Sequence, residues 1–147
     1  MGVGGKNKII IIFMTQEEKD LLLKDLCGRL PYGVKVNNEI QGDFKIYGIC
    51  ENFVFGRNEV CHIDFDVEKI KPYLYPLSSM TDRQKNLFSL IVCKLDDSDI
   101  WRNGDMIFID NEEDLDSLLD FYNKNHLDWR GLIPKGLALD ATNKNIY

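Results

Sequence analysis

Residues 70–81 read IKPYLYPLSSMT, and they divide the chain. Pro72 and Pro76 fix φ and press Lys71 and Tyr75 into extended geometry, so no helix runs through this stretch. Strand-like sequence precedes it and a helix start follows, which makes it the crossing from one part of the fold to the other. Ile70, Tyr73, Leu74, Tyr75 and Leu77 are too many apolar side chains for a free linker. The segment is expected to lie strapped across the body.

Upstream of the strap, Cys61, Ile63 and Phe65 face one way and His62, Asp64 and Asp66 the other, the period of a strand. Phe44, Ile46, Gly48 and Cys50 alternate in the same manner with Lys45, Tyr47 and Ile49, and Phe53–Phe55 continues the pattern or opens the next strand. Val34–Val36 is a further short strand, with turns at 41–43 and 56–58. Before these strands, Thr15 and Glu18 form a capping box. Leu22, Leu23, Leu26, Cys27 and Leu30 then recur at helical spacing until Pro31 and Gly33 end the run. Residues 1–8 are a glycine-rich, polar tail, and GVGG lacks the GK[ST] that a phosphate loop needs. Ile9–Phe13 reads either as a short buried strand or as sequence outside the fold.

Downstream, Thr81 and Gln84 make a second capping box, and Leu87, Phe88, Ile91, Val92 and Leu95 give an amphipathic helix. Asp96–Asp99 is a polar loop. Asn103-Gly104 between Ile100-Trp101 and Met106–Ile109 predicts a tight hairpin. Asn111 caps a third helix, whose first turn carries Glu112, Glu113 and Asp114 and whose buried face is Leu115, Leu118, Leu119 and Tyr122. Residues 126–140 are expected to form a compact loop, and 141–147 a disordered tail. The elements interleave without a regular βαβ rhythm, which predicts an α+β fold: a single domain over 14–140, about three helices around a small, mainly antiparallel sheet. Residues 1–13 are a tail or an extra strand.

Composition bounds the function. A chain of 147 residues with 44% hydrophobic and 29% charged content suits one soluble globular domain. The net charge of -6 disfavours nonspecific binding of nucleic acid. That charge is uneven: residues 1–95 hold 13 Lys+Arg against 12 Asp+Glu, whereas 96–147 hold 5 against 12. The run Ile9–Met14 is too short to span a membrane or to serve as a secretory core. A cytoplasmic setting follows. Cys27, Cys50, Cys61 and Cys93 each sit in an apolar run without a CxxC pair, so all four are expected to be reduced core thiols and not zinc ligands.

Few constellations carry chemistry. Cys61 and His62 are neighbours on a strand and point to opposite faces, which rules them out as nucleophile and base. Asp64, Asp66 and Glu68 alternate on one strand face and could hold a hard cation, as could Asp96, Asp97 and Asp99; a solvated acidic surface is the plainer reading. Ser78-Ser79 lacks the GxSxG setting of a nucleophile elbow. Tyr73 and Tyr75 stand on the strap, where at most one faces the core fully. Trp129-Arg130-Gly131 joins an aromatic, a cation and a glycine, a combination common at interfaces.

KDLCGRLPYGVKV (24–36), IKPYLYPLSSMT (70–81) and WRGLIPKGLALD (129–140) together resemble phrases of a family of small uncharacterised proteins of Bacteroides-type genomes and their prophages. The resemblance implies a bacterial or phage setting and carries over no catalytic or binding residue. It also implies that Met14 matches the usual start, which would leave residues 1–13 outside the fold.

The favoured function is a non-enzymatic protein that binds another protein, without a cofactor. The acidic segment 96–120, including Asp97, Asp99, Glu112 and Glu113, would meet a basic partner, while Tyr73, Tyr75, Trp129 and Arg130 would supply anchors. One alternative is a metal-dependent hydrolase or nuclease built on Asp64, Asp66 and Glu68. Another is a small-ligand binder with a pocket under the strap.

Overall fold

In the computed structural model, which describes residues 14–93, 100–103, 106–109 and 112–147, the first helix begins where its capping box places it. Thr15 Oγ1 accepts from the Glu18 N–H at 3.1 Å, and Glu18 Oε1 accepts from the Thr15 N–H at 3.1 Å. The helix α1 (Gln16–Arg29) runs into a 3₁₀ turn at Leu30–Tyr32, and Gly33 stops it at φ 71°. Its buried face is Leu22, Asp25, Leu26 and Arg29. The leucines are as expected, but Cys27 is exposed and two charged residues take its place inward.

Four strands follow as an antiparallel meander: β1 (Lys35–Asn38), β2 (Gly42–Cys50), β3 (Phe53–Arg57) and β4 (His62–Asp66). Phe44, Ile46, Val54 and Phe65 turn inward against Leu22 and Leu26 of α1. The β2–β3 register shifts between Ile46 and Gly48. Such a bulge reverses the facing of every later residue on that strand. Ile49 therefore packs on the core and Cys50 is exposed, the opposite of what simple alternation predicts.

The proline segment is itself a strand, β5 (Lys71–Leu74). It pairs antiparallel with β1 through Val36–Pro72 and Asn37–Lys71, and parallel with β8 (Leu139–Asp140) through Tyr73–Leu139 and Leu74–Asp140. Pro72 thus has a ladder partner on one side only, where its missing N–H is tolerated. The sheet order is β4-β3-β2-β1-β5-β8. Only residues 67–70 join β4 to β5, which lies beyond three other strands. Those few residues span at most about 18 Å, whereas four strand spacings in a flat sheet come to about 19 Å before any offset along the strands. The sheet must curl around its core, and the β2 bulge supplies part of the bend.

The second capping box also forms, with Thr81 N–H to Gln84 Oε1 at 2.9 Å and Gln84 N–H to Thr81 Oγ1 at 3.1 Å. It opens α2 (Asp82–Cys93). The expected hairpin is β6 (Ile100–Asn103) with β7 (Met106–Ile109), paired Asn103 to Met106, and α3 spans Glu112–Lys124. The α+β reading holds: three helices and a six-stranded, mostly antiparallel sheet in one body, among the described residues. Ile9–Phe13, Asp97, Asp99 and Asn111 lie outside those residues.

The last segment corrects the expectation of a loop and a disordered tail. Residues 139–140 form β8 along β5. Ala141 is fully buried and donates to Leu74 O at 2.8 Å. Tyr147 accepts from the Lys35 N–H at 3.0 Å and donates to Tyr73 O at 2.8 Å. Continuing the β1–β5 register would set Lys35 opposite Tyr73, so the phenol stands where a ladder bond would otherwise close. No described helix is long and apolar enough to cross a membrane.

Candidate functional site

Two exposed surfaces and one buried charged cluster stand out among the described residues. The first surface is the outer face of β2, β3 and β4. Register sets its rows: Lys45, Arg57 and His62 lie side by side, then Gly48, Phe55 and Asp64, then Cys50, Phe53 and Asp66. Tyr47, displaced by the bulge, leans over the middle, with its ring 6.5 Å from Phe55 and 5.9 Å from His62, edge-on to the imidazole. The Arg57 guanidinium stands 5.7 Å from the Tyr47 ring. Tyr47 is 50% exposed and Phe53 45%, high values for rings in the middle of a sheet. At the Lys45–Arg57 end is a hollow of about 210 Å³ that Lys35 also lines. The Lys45 stem is held across Gly33, where any Cβ would come within 2.9 Å of its Cε. None of Lys35, Lys45 and Arg57 is paired with a carboxylate among the described residues. Lys45 with Tyr47, and Phe53 with Phe55 and Arg57, alternate visibly in the sequence; what hid the site was that the two runs face the same side.

The second surface is a groove of about 530 Å³ between α2 and the end of α3. Leu87 is 44% exposed and Leu90 60%, with Ile91 and Phe121 beside them and Arg83 and Lys124 along the groove. The expected burial of Leu87 fails here. Phe88 turns inward instead, 6.0 Å from Phe121 and 6.1 Å from Tyr122.

The anchors expected at an interface are largely spent inside the molecule. Tyr73 is 7% exposed, and its hydroxyl donates to Asp43 at 2.8 Å. Burial and then Asp43 push its phenol up to about 12. The Tyr75 backbone donates to His126 O and accepts from the Asp128 N–H, each at 2.8 Å. Trp129 stacks on Tyr122 at 15° and donates from Nε1 to Asn123, and the Arg130 guanidinium lies 4.0 Å from its ring. Arg130 also reaches Asp25 at 3.2 Å, while Arg29 grips the same carboxylate at 2.8 and 3.2 Å and Leu127 O at 2.7 Å. Two cations thus share one buried anion. This cluster joins α1 to the 126–130 loop and was not foreseen, because Asp25 and Arg130 lie more than a hundred positions apart in the sequence. Glu112 and Glu113 open α3, and their side chains lie outside the described residues, as do Asp97 and Asp99.

His126 has a consequence that pH reveals. Its ring stacks on Tyr147 with centroids 3.6 Å apart and 9° between planes, and its Nδ1 is buried without a partner among the described residues. Burial, then Arg29 and Lys35, lower its pKa to about 4 from 6.5. The folded protein keeps this imidazole neutral while the unfolded chain takes up a proton below pH 6.5. Stability is therefore full above 6.5 and falls as pH drops toward 4. The ring is partly exposed, so screening reduces the loss to about 1–2 kcal/mol. His126→Asn tolerates the left-handed φ of 56° and cannot titrate there. Urea melts at pH 7.5 and 4.5 should show the smaller acid loss in this variant; equal losses would refute the assignment.

The acidic strand face does not assemble. The strand ends at Asp66, which caps a 3₁₀ turn by accepting from the Glu68 N–H, and Glu68 pairs with Lys19 at 3.4 Å. Among the described residues no group of three or more His, Cys, Asp or Glu is placed to hold a metal ion. The cysteines are not all core thiols either: Cys27 and Cys50 are exposed and Cys61 is half-buried. Set beside known proteins, the chain matches no family model, no curated protein and no solved structure.

Proposed function

We propose that the protein works by binding another protein, and that the groove between α2 and α3 receives it. The observation that carries this reading is the exposure of Leu87 and Leu90 beside Ile91 and Phe121 on an otherwise folded helix pair. Exposed leucines one turn apart suit the apolar stripe of an amphipathic segment. Arg83 and Lys124 fit carboxylates flanking that stripe. The resemblance to proteins of Bacteroides-type genomes and prophages suggests a mobile element or its host as the setting.

The test is Leu87→Glu with Leu90→Glu. Proteins captured from a bacterial host by the wild type are purified and titrated against both forms. The double variant should bind at least about 30-fold more weakly, the cost of two desolvated anchors, with its melting transition kept. Unchanged affinity would refute the groove. A large fall in stability would mean that the chain covers this groove itself. A second reading rests on Asp116 and Asp120, exposed on α3 within the acidic stretch 96–120. If that stretch steers a basic partner, Asp97→Lys, Asp99→Lys, Glu112→Lys and Glu113→Lys together slow association and remove its salt dependence.

A further inference from the structure

The outer face of β2–β4 carries a different chemistry from the helix groove, and we infer that it binds single-stranded nucleic acid, stacking successive bases on Tyr47, Phe55 and Phe53. Unpaired bases are recognised by aromatic side chains on open surfaces, with cations nearby to meet the backbone. Each of those parts is present. Phe55 and Phe53 are two residues apart on β3 and share a face, so their rings stand about 7 Å from one another along the strand. Tyr47 is already held by Phe55, His62 and Arg57, so its ring loses little freedom when a base covers it. A phosphate fits the neighbouring hollow, where Lys35, Lys45 and Arg57 converge. Asp43 and Glu59 line the same hollow, and Asp43 accepts from the Tyr73 hydroxyl and the Asn37 amide, so the three cations outnumber the carboxylates there by one.

Charge and shape choose among ligands with planar faces. An aromatic platform alone would equally suit a sugar, but sugars are held by acceptors and donors around the ring. Here Phe53 and Phe55 offer none, and Asp64 and Asp66, the latter accepting from the Glu68 N–H, stand only along β4 at one side of the rings. A free nucleotide would want walls, whereas this face is open and extends over two strand steps. The net charge of -6 works against long-range attraction, so binding must come from stacking plus a local cation cluster. Half of the chain's 24 carboxylates fall in residues 96–147, outside the sequence of these strands.

Fluorescence anisotropy with labelled oligo(U) and oligo(dT) of about twelve nucleotides, long enough to cover a fold of this size, tests the inference. Both should bind, a duplex of equal length should bind far less, and uridine monophosphate should not compete. Tyr47→Ala and Phe53→Ala should each weaken binding about 10-fold. Arg57→Ala should weaken it and flatten the salt dependence. Because Tyr47 and Phe53 are half exposed, these variants should melt like the wild type; Leu90→Glu, in the groove, should bind oligonucleotide normally. No anisotropy change at about 100 µM protein, well above the affinity that stacking should provide, would overturn the inference. So would equal binding of duplex or monophosphate, or binding unaffected by Tyr47→Ala and Phe53→Ala. Capture of a peptide or an oligosaccharide on this face, lost in the same variants while oligonucleotide does not bind, would assign it to that ligand instead.

Discussion

Arg29→Ala should cost about 3–5 kcal/mol, the penalty for breaking a buried, hydrogen-bonded ion pair from one side. A small domain has only about 5–15 kcal/mol in all, so much of the variant should be unfolded in mild urea. The size follows from what the guanidinium holds. Its side chain is fully buried, it clasps both Asp25 oxygens, and it donates to Leu127 O beside the Trp129 N–H. Without it, Asp25 at 1% exposure keeps only the Arg130 contact, and Leu127 O keeps only the Trp129 N–H. Lysine cannot substitute, since it lacks the fork that meets two oxygens at once. The stronger test is the pair Asp25→Leu with Arg29→Met. Removing both charges eliminates the unpaired anion, and apolar replacements of similar volume are often neutral. Arg130 is half-buried and can turn to water. The double variant should therefore recover more than half of the loss. If Arg29→Ala costs under about 1 kcal/mol, within the range of a surface pair, the cluster is not what joins α1 to the 126–130 loop.

That cluster also shows where sequence reading stops. Local signals were legible: both capping boxes, the β6–β7 hairpin and the alternation of β4 all form as spaced. Each depends on residues within a few positions of one another. Facing and pairing across long separations were not legible. One displaced residue at the β2 bulge turned Cys50 outward and Ile49 inward, and nothing in the spacing of 44–50 marks the slip. Asp25 sits in helical register with the apolar stripe, but only Arg130, more than a hundred positions away, explains why it is buried. The three stretches 24–36, 70–81 and 129–140 meet in the fold, through Asp25 with Arg130, Val36 with Pro72, and Tyr73 and Leu74 with Leu139 and Asp140. The outer face of the sheet escaped for the same reason. Tyr47 and Phe53 look like unremarkable strand residues until the turn between β2 and β3 sets them on one side.

Deletion of residues 141–147 should be the second severe change, at about 3–5 kcal/mol. Three kinds of contact go together. Ala141 leaves a fully buried position and frees Leu74 O. Lys35 Nζ loses Ile146 O at 2.8 Å. The Tyr147 hydroxyl, pushed up to about 12 by burial, no longer spans the Lys35 N–H and the Tyr73 carbonyl, and those two groups have no direct bond to fall back on. Tyr147→Phe separates the last contribution from the others. It keeps the ring on His126 but removes the bridge, so it should cost about 1–2 kcal/mol, the penalty for buried backbone groups left unmet. A second measurement distinguishes a specific seat from loose packing. With residues 141–147 gone, His126 loses the ring stacked on it and gains water. Its pKa should then rise from about 4 back toward 6.5, and the extra acid sensitivity between those values should shrink. Tyr147→Phe should leave that sensitivity in place. NMR titration of the His126 ring in the three proteins reads this directly. A truncated protein that melts like the wild type and titrates His126 near 4 would mean that this segment contributes nothing to the fold. A truncated protein that loses stability and gains a normal histidine would mean that residues 141–147 close the β1–β5 seam and shut His126 from water in one step.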